Sequence, residues 1–218
     1  MRLAFAALLV VWGNAVNYFV QPMLPGGDWA AVAWGAALVA VSVLVARRLR
    51  ADTGARLGDV RVALAAAVVG LVAAVIGVAI LRLGPIVGPV VYRPLFTASD
   101  RDLAIHIALF LPLAAVIPEE IAFRGALLGA YLRAGMRRSL IVSSTAFALW
   151  HVAVLYLTLL QTSLAGSALS WLAAAAALLF LLLGGLALGV LRIRAGSLLA
   201  PIAAHWAFDA AVLVGLRA

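Results

Sequence analysis

Runs of about 20 residues in which apolar side chains dominate recur seven times along the chain, near 3–20, 29–46, 62–81, 103–132, 139–160, 171–191 and 197–216. A run of that length crosses the hydrocarbon of a bilayer as a helix, and backbone in lipid must satisfy its own hydrogen bonds. The expected fold is therefore all-α and polytopic, an integral membrane protein of about seven transmembrane helices. Composition agrees, since 67% of the 218 residues are hydrophobic and only 11% charged, too little polar surface to clothe a water-soluble globule. The fourth run is long and interrupted by Pro118. A kinked helix and two half-helices both fit that pattern, and one span is preferred because neither half alone crosses a core of about 30 Å. Arg2 before an apolar stretch is also how a cleaved signal peptide begins. Here the run continues through Val20, with Asn14 and Asn17 inside it and no clear small-x-small cleavage site, so a retained span is expected. The two asparagines are expected to make interhelical hydrogen bonds.

The formal charge of +8 does not point to nucleic acid, because the basic residues stand at the ends of apolar runs and form no patch. All of them are arginine, and the absence of lysine excludes Schiff-base chemistry and a serine/lysine dyad. The absence of cysteine excludes disulfides, thiol catalysis and cysteine zinc sites. Arg47, Arg48, Arg50, Arg56 and Arg61 form a dense loop between spans two and three that should be cytoplasmic. Alternation from there places Arg2, Arg133, Arg137, Arg138, Arg192 and Arg194 on the same side and leaves Arg82, Arg93, Arg101 and Arg217 opposite. An odd number of spans with a cytoplasmic amino terminus follows. The lysine-free, alanine-rich composition points to a GC-rich bacterial genome, and hence to a bacterial plasma membrane.

Charges inside hydrocarbon are the informative ones, because each costs about 2.5–3.5 kcal/mol at a helix centre. Glu119, Glu120, Arg124 and Asp209 are such charges, and His151 and His205 lie equally deep in spans five and seven. Counted from Arg133, Arg138 and Arg194, the positions of Glu119, His151 and His205 lie roughly 16–21 Å from the arginine-rich edge. Three helices thus offer polar groups at one level. Glu120 and Arg124 are i and i+4 and can neutralise one another, which leaves Glu119 suited to proton transfer near neutrality. His205 and Asp209 share the same spacing, as do Phe147 and His151.

In these residues the sequence resembles the CPBP family of intramembrane proteases, which groups CAAX prenyl endopeptidases with bacteriocin-processing and immunity proteins of the Abi type. The family's EExxxR motif stands as Glu119-Glu120-Ile121-Ala122-Phe123-Arg124, its FxxxH as Phe147 to His151, and its HxxxN/D as His205-Trp206-Ala207-Phe208-Asp209. The resemblance covers about residues 103–212. It implies a catalytic core at 103–218, with the site among spans four, five and seven, and an accessory part at 1–102 with three spans. It further implies that Glu119 with His151 activates a water on the scissile carbonyl, that His205 and Asp209 steady the oxyanion, and that Glu120 with Arg124 is a supporting ion pair. Residue 209 is usually asparagine, whose amide donates to an oxyanion as an ionised aspartate cannot. Asp209 must then be protonated or orient His205.

One glutamate and two histidines also match the ligand set of a catalytic zinc, and a bound zinc would take Glu119, His151 and His205. The HExxH pair is absent, and a liganding Glu119 could not also be the base, so metal-independent glutamate catalysis is preferred. The expected activity is intramembrane peptide-bond hydrolysis, with a membrane-associated protein or peptide as substrate and the lipid bilayer as the other partner. Peptide maturation, immunity to a self-made peptide and processing of signalling proteins are the candidate settings. The alternatives are a non-catalytic scaffold, hinted at by Asp209, and a proton-coupled transporter, which would use the same buried acids but lacks an internal repeat. His106 is expected to be an ordinary interfacial or packed histidine, and Trp150 and Trp206 to pack. Gly125 with Gly129, and Gly185 with Gly189, are expected to let helices approach closely.

Overall fold

The computed structural model describes residues 1–20, 27–83 and 99–217; Arg93 lies outside them. Helix α1 spans Arg2–Ala15 and continues with π winding over Val16–Val20. It is followed by α2, Gly27–Leu49, α3, Val60–Leu83, α4, Asp100–Ala134, α5, Met136–Leu160, α6, Leu169–Ala195, and α7, Leu199–Arg217. No strand occurs among the described residues. The seven helices follow the seven apolar runs. Six of them, α2 to α7, are long and apolar enough to cross a membrane. The first, α-helical for 14 residues before its winding changes, is not among the six.

The exterior of the helices is apolar, as a bilayer requires, and the interior packs apolar side chains around a few buried polar and charged ones. Leu64, Val68, Val69, Val72, Val75 and Ile76 of α3 and Leu172, Leu179, Phe180 and Leu183 of α6 are exposed. From Pro118 to Tyr131 of α4, every residue except Ile121 is buried. This helix is the axis of the bundle, packed by α1, α2, α5, α6 and α7, while α3 lies along α7. Small residues set those distances: Gly70 faces the Ala204 backbone, and Gly185 and Gly189 face Ser144 and Leu140 of α5.

The fourth span is one helix, as preferred from sequence, but its winding is widened rather than sharply broken. It is π-wound over His106–Val116 and again over Glu120–Leu127. Pro112 and Pro118 bring no N–H to this helix, and at Pro112 a neighbour meets the carbonyl left without a donor. The donor to Ile107 C=O in π winding would be residue 112, which is proline. The Trp206 Nε1–H of α7 donates to that oxygen instead, at 2.9 Å. At the second proline, α2 closes in through Gly35, where a Cβ would lie 2.9 Å from both the Leu113 carbonyl oxygen and Pro118 Cγ.

Gly125 and Gly129 correct an expectation. They receive no helix; their bare faces admit the backbone of the arginine-rich loop, with a Cβ at Gly125 lying 3.3 Å from the Thr53 carbonyl and Gly129 facing the carbonyl of Asp52. The buried Arg192 of α6 fastens this loop, its Nη2 donating to Asp52 C=O at 2.7 Å and approaching Asp52 Oδ1 at 3.3 Å. Gly54 has φ +62° and lies against the Arg192 guanidinium, and its carbonyl accepts from Leu198 N–H at 3.1 Å. A side chain at residue 54 would be strained and would collide with the anchor.

Candidate active site

Two clusters meet at the centre of the bundle, and both begin on the widened turn of α4. Glu120 and Arg124 are completely buried, and Arg124 Nη1 donates to Glu120 Oε1 at 2.9 Å. The same oxygen receives His205 Nδ1 from α7 at 2.9 Å. A carboxylate only accepts, so His205 carries its proton on Nδ1 there. Its Nε2 then faces Asp209 Oδ2 at 3.4 Å, one turn along α7. The Arg124 guanidinium also lies over the Phe147 ring, 4.0 Å from its centroid, a cation–π contact at a fully buried arginine.

Glu119 begins the second cluster. Its Oε2 stands 3.8 Å from His151 Nε2, too long for a hydrogen bond. The other nitrogen, His151 Nδ1, is 2.8 Å from the Phe147 carbonyl. A carbonyl only accepts, so this contact fixes Nδ1–H and leaves Nε2 of the neutral ring as an acceptor aimed at Glu119. Phe147 joins the two clusters: its ring meets those of His151 and His205 edge-on, at centroid distances of 4.6 and 5.9 Å. Phe123 supports it from α4 at 5.3 Å.

The structure therefore brings together Glu119, Glu120, Arg124, Phe147, His151, His205 and Asp209, the residues singled out from sequence. It does not bring Glu119, His151 and His205 together as a zinc ligand set. His205 directs Nδ1 to Glu120 and Nε2 to Asp209, and no three acidic or histidine side chains among the described residues are grouped to hold a metal. The residues as arranged do not fit that ion.

A cavity of about 240 Å³ leads to Glu119 between α1, α2 and α4, walled by Trp12, Trp34, Leu38, Phe110 and Trp150. At its far end His106 Nδ1 lies 3.3 Å from Asp28 Oδ1. His106, expected to be an ordinary interfacial or packed histidine, thus also lines the cavity that reaches Glu119. The pairing of α2 with α4 creates it, and no local spacing announces it. Trp150 both packs, against Phe123 at 5.5 Å, and walls the cavity.

Residues 101–211 match the family described as Type II CAAX prenyl endopeptidase Rce1-like. That is more than half of the chain, and it contains all seven residues gathered at the site. The chain belongs to this family. No curated protein and no solved structure matches it. Membership makes it an integral membrane protein of a CAAX-type intramembrane protease family, in keeping with its apolar helices. The matched residues begin at the start of α4, so the cavity walls from α1 and α2 come from outside them.

Proposed function

We propose that the protein is an intramembrane endopeptidase that hydrolyses a peptide bond in a membrane-associated protein or peptide, using water activated by Glu119 and His151 without a metal. The observation that carries this reading is the approach of Glu119 Oε2, which lines a cavity, to His151 Nε2 across 3.8 Å; with the imidazole proton on Nδ1 both are acceptors. A water molecule has the two O–H donors that such a pair lacks. Held by both, it gives one proton to Glu119 as it attacks the scissile carbonyl, and Glu119 returns that proton to the leaving amine. The oxyanion is met from the His205 side. With Nδ1–H given to Glu120, the contact of Nε2 with Asp209 is favourable when one proton lies between them, on either partner. That proton serves as an oxyanion donor once it turns from its partner toward the substrate oxygen. Asp209 can thereby do what an asparagine amide would do, and the Glu120–Arg124 pair holds His205 from behind.

Residues 103–218 carry these groups, and the first three helices serve as their accessory. The arginine-rich loop supports a cytoplasmic amino terminus and the composition a bacterial plasma membrane, where peptide maturation, self-immunity and signalling are the settings for such cleavage. The test compares protein termini in membranes of cells making the wild type and Glu119→Ala at matched levels. New termini that require Glu119 are expected. Identical profiles, with a phenotype still produced by deleting the whole protein, would replace catalysis with a scaffold role.

A further inference from the structure

We infer that Asn14, in α1, is a positioning residue for His151. Helix α5 is not continuous at this histidine: His151 has φ −91° and ψ 3°, and its N–H turns back to Ala148 C=O at 3.1 Å. In an unbroken helix the next turn would be closed by Ala153 N–H donating to Leu149 C=O. The carboxamide of Asn14 stands between these two groups. Its Nδ2–H donates to Leu149 C=O at 2.8 Å, and its Oδ1 accepts from Ala153 N–H at 2.7 Å. The second Nδ2 hydrogen goes to Val10 C=O at 2.8 Å. One backbone hydrogen bond is thus replaced by two bonds to a side chain, and the break at His151 leaves neither of these groups unsatisfied.

The position of the imidazole depends on that break. Phe147 C=O fixes one ring nitrogen and the other faces Glu119 at 3.8 Å, so a backbone rotation at residue 151 moves Nε2 relative to the carboxylate. Gly13 provides the approach, because its bare Cα lies against the Trp150 ring, where any Cβ would collide. Asparagine suits this task because it presents a donor and an acceptor on one planar group. Leucine of similar size presents neither, and α5 would then recover its own Ala153–Leu149 bond and carry His151 away from Glu119. Aspartate keeps the acceptor for Ala153 N–H but offers no donor to Leu149 when ionised.

The placement is tested on the full chain in lipid nanodiscs with ¹⁵N-labelled histidine. The chain has three histidines, whose signals are assigned with single His→Gln variants. Asn14→Leu is expected to shift both ring-nitrogen signals of His151 and leave those of His106 and His205 in place, with a smaller shift in Asn14→Asp. Unmoved His151 signals in Asn14→Leu, or equal displacement of all three histidines, would overturn the inference. If Asn14→Leu does not fold, Asn14→Asp decides by the same criterion. The consequence for hydrolysis rests on the proposed function: with a substrate in hand, Asn14→Leu lowers kcat roughly a hundredfold with little change in KM, and a loss carried by KM alone counts against positioning. If no cleavage requires Glu119, the proteolytic reading fails while the histidine signals still decide what Asn14 does.

Discussion

Asp209 is where the chemistry of single residues is most open to test. Its Oδ2 lies 3.4 Å from His205 Nε2, and the far side of the ring is anchored to Glu120 at 2.9 Å. A donor at residue 209 or a proton shared with His205 serves an oxyanion equally, so Asp209→Asn is expected to keep cleavage within about tenfold of the wild type. Asp209→Leu supplies neither and is expected to lose roughly 10²–10³ in kcat, the cost of one oxyanion donor. A cleavage assay in which asparagine is as damaging as leucine would assign Asp209 to a role that needs its charge. The pairings along one helix, Glu120 with Arg124, Phe147 with His151 and His205 with Asp209, were legible because four residues bring side chains to one face. The bond between Glu120 and His205 was not. Its partners are 85 residues apart, and nothing in either local pattern selects the other, so a pair assigned to support also orients a histidine of the site.

At the scale of elements, the winding of α4 decides how the site is presented. Adjacent glutamates on an ordinary helix point about 100° apart, and here Glu120 starts the second π segment while Glu119 ends the short α turn before it. The two carboxylates serve different histidines from that junction. Proline in a span predicts a local loss of hydrogen bonding, as the sequence shows at Pro112 and Pro118, but whether a neighbour repairs it depends on packing. Trp206 makes such a repair. Trp206→Phe removes the donor to Ile107 C=O and is expected to cost about 1 kcal/mol, the range of interhelical hydrogen bonds in membranes. In a Pro112→Ala background residue 112 regains an N–H, so the same substitution should cost measurably less. Reversible unfolding in mixed micelles gives both values, and equal costs in the two backgrounds would show that the indole matters only as a packed ring.

For the molecule as a whole, the apolar exterior and the count of helices were legible because lipid enforces both, whereas the closing of one end of the bundle was not. The arginines around the α2–α3 connection, from Arg47 to Arg61, read as a marker of membrane side, a reading that needs no structure in the loop. Yet the loop enters the bundle over Gly125 and Gly129, on the same helix as Glu119 and Glu120, and Arg192 of α6 is buried to hold it. An arginine counted toward topology is thus used as an anchor between α6 and the loop, and through Gly54 C=O it is tied to the start of α7, the helix of His205. The exposed contact of Arg56 with Asp52, at 3.4 Å, adds little by comparison. Arg192→Met keeps an apolar stem of similar reach and removes the donors. Hydrogen bonds from a charged group are worth about 1.5–3 kcal/mol, so amide exchange at Gly54 and Leu198 is expected to quicken about tenfold or more while exchange in the centre of α5 stays as in the wild type. If neither amide changes, the glycine faces alone hold the loop; if the whole bundle exchanges faster, Arg192 supports global stability and not the seating of this one segment.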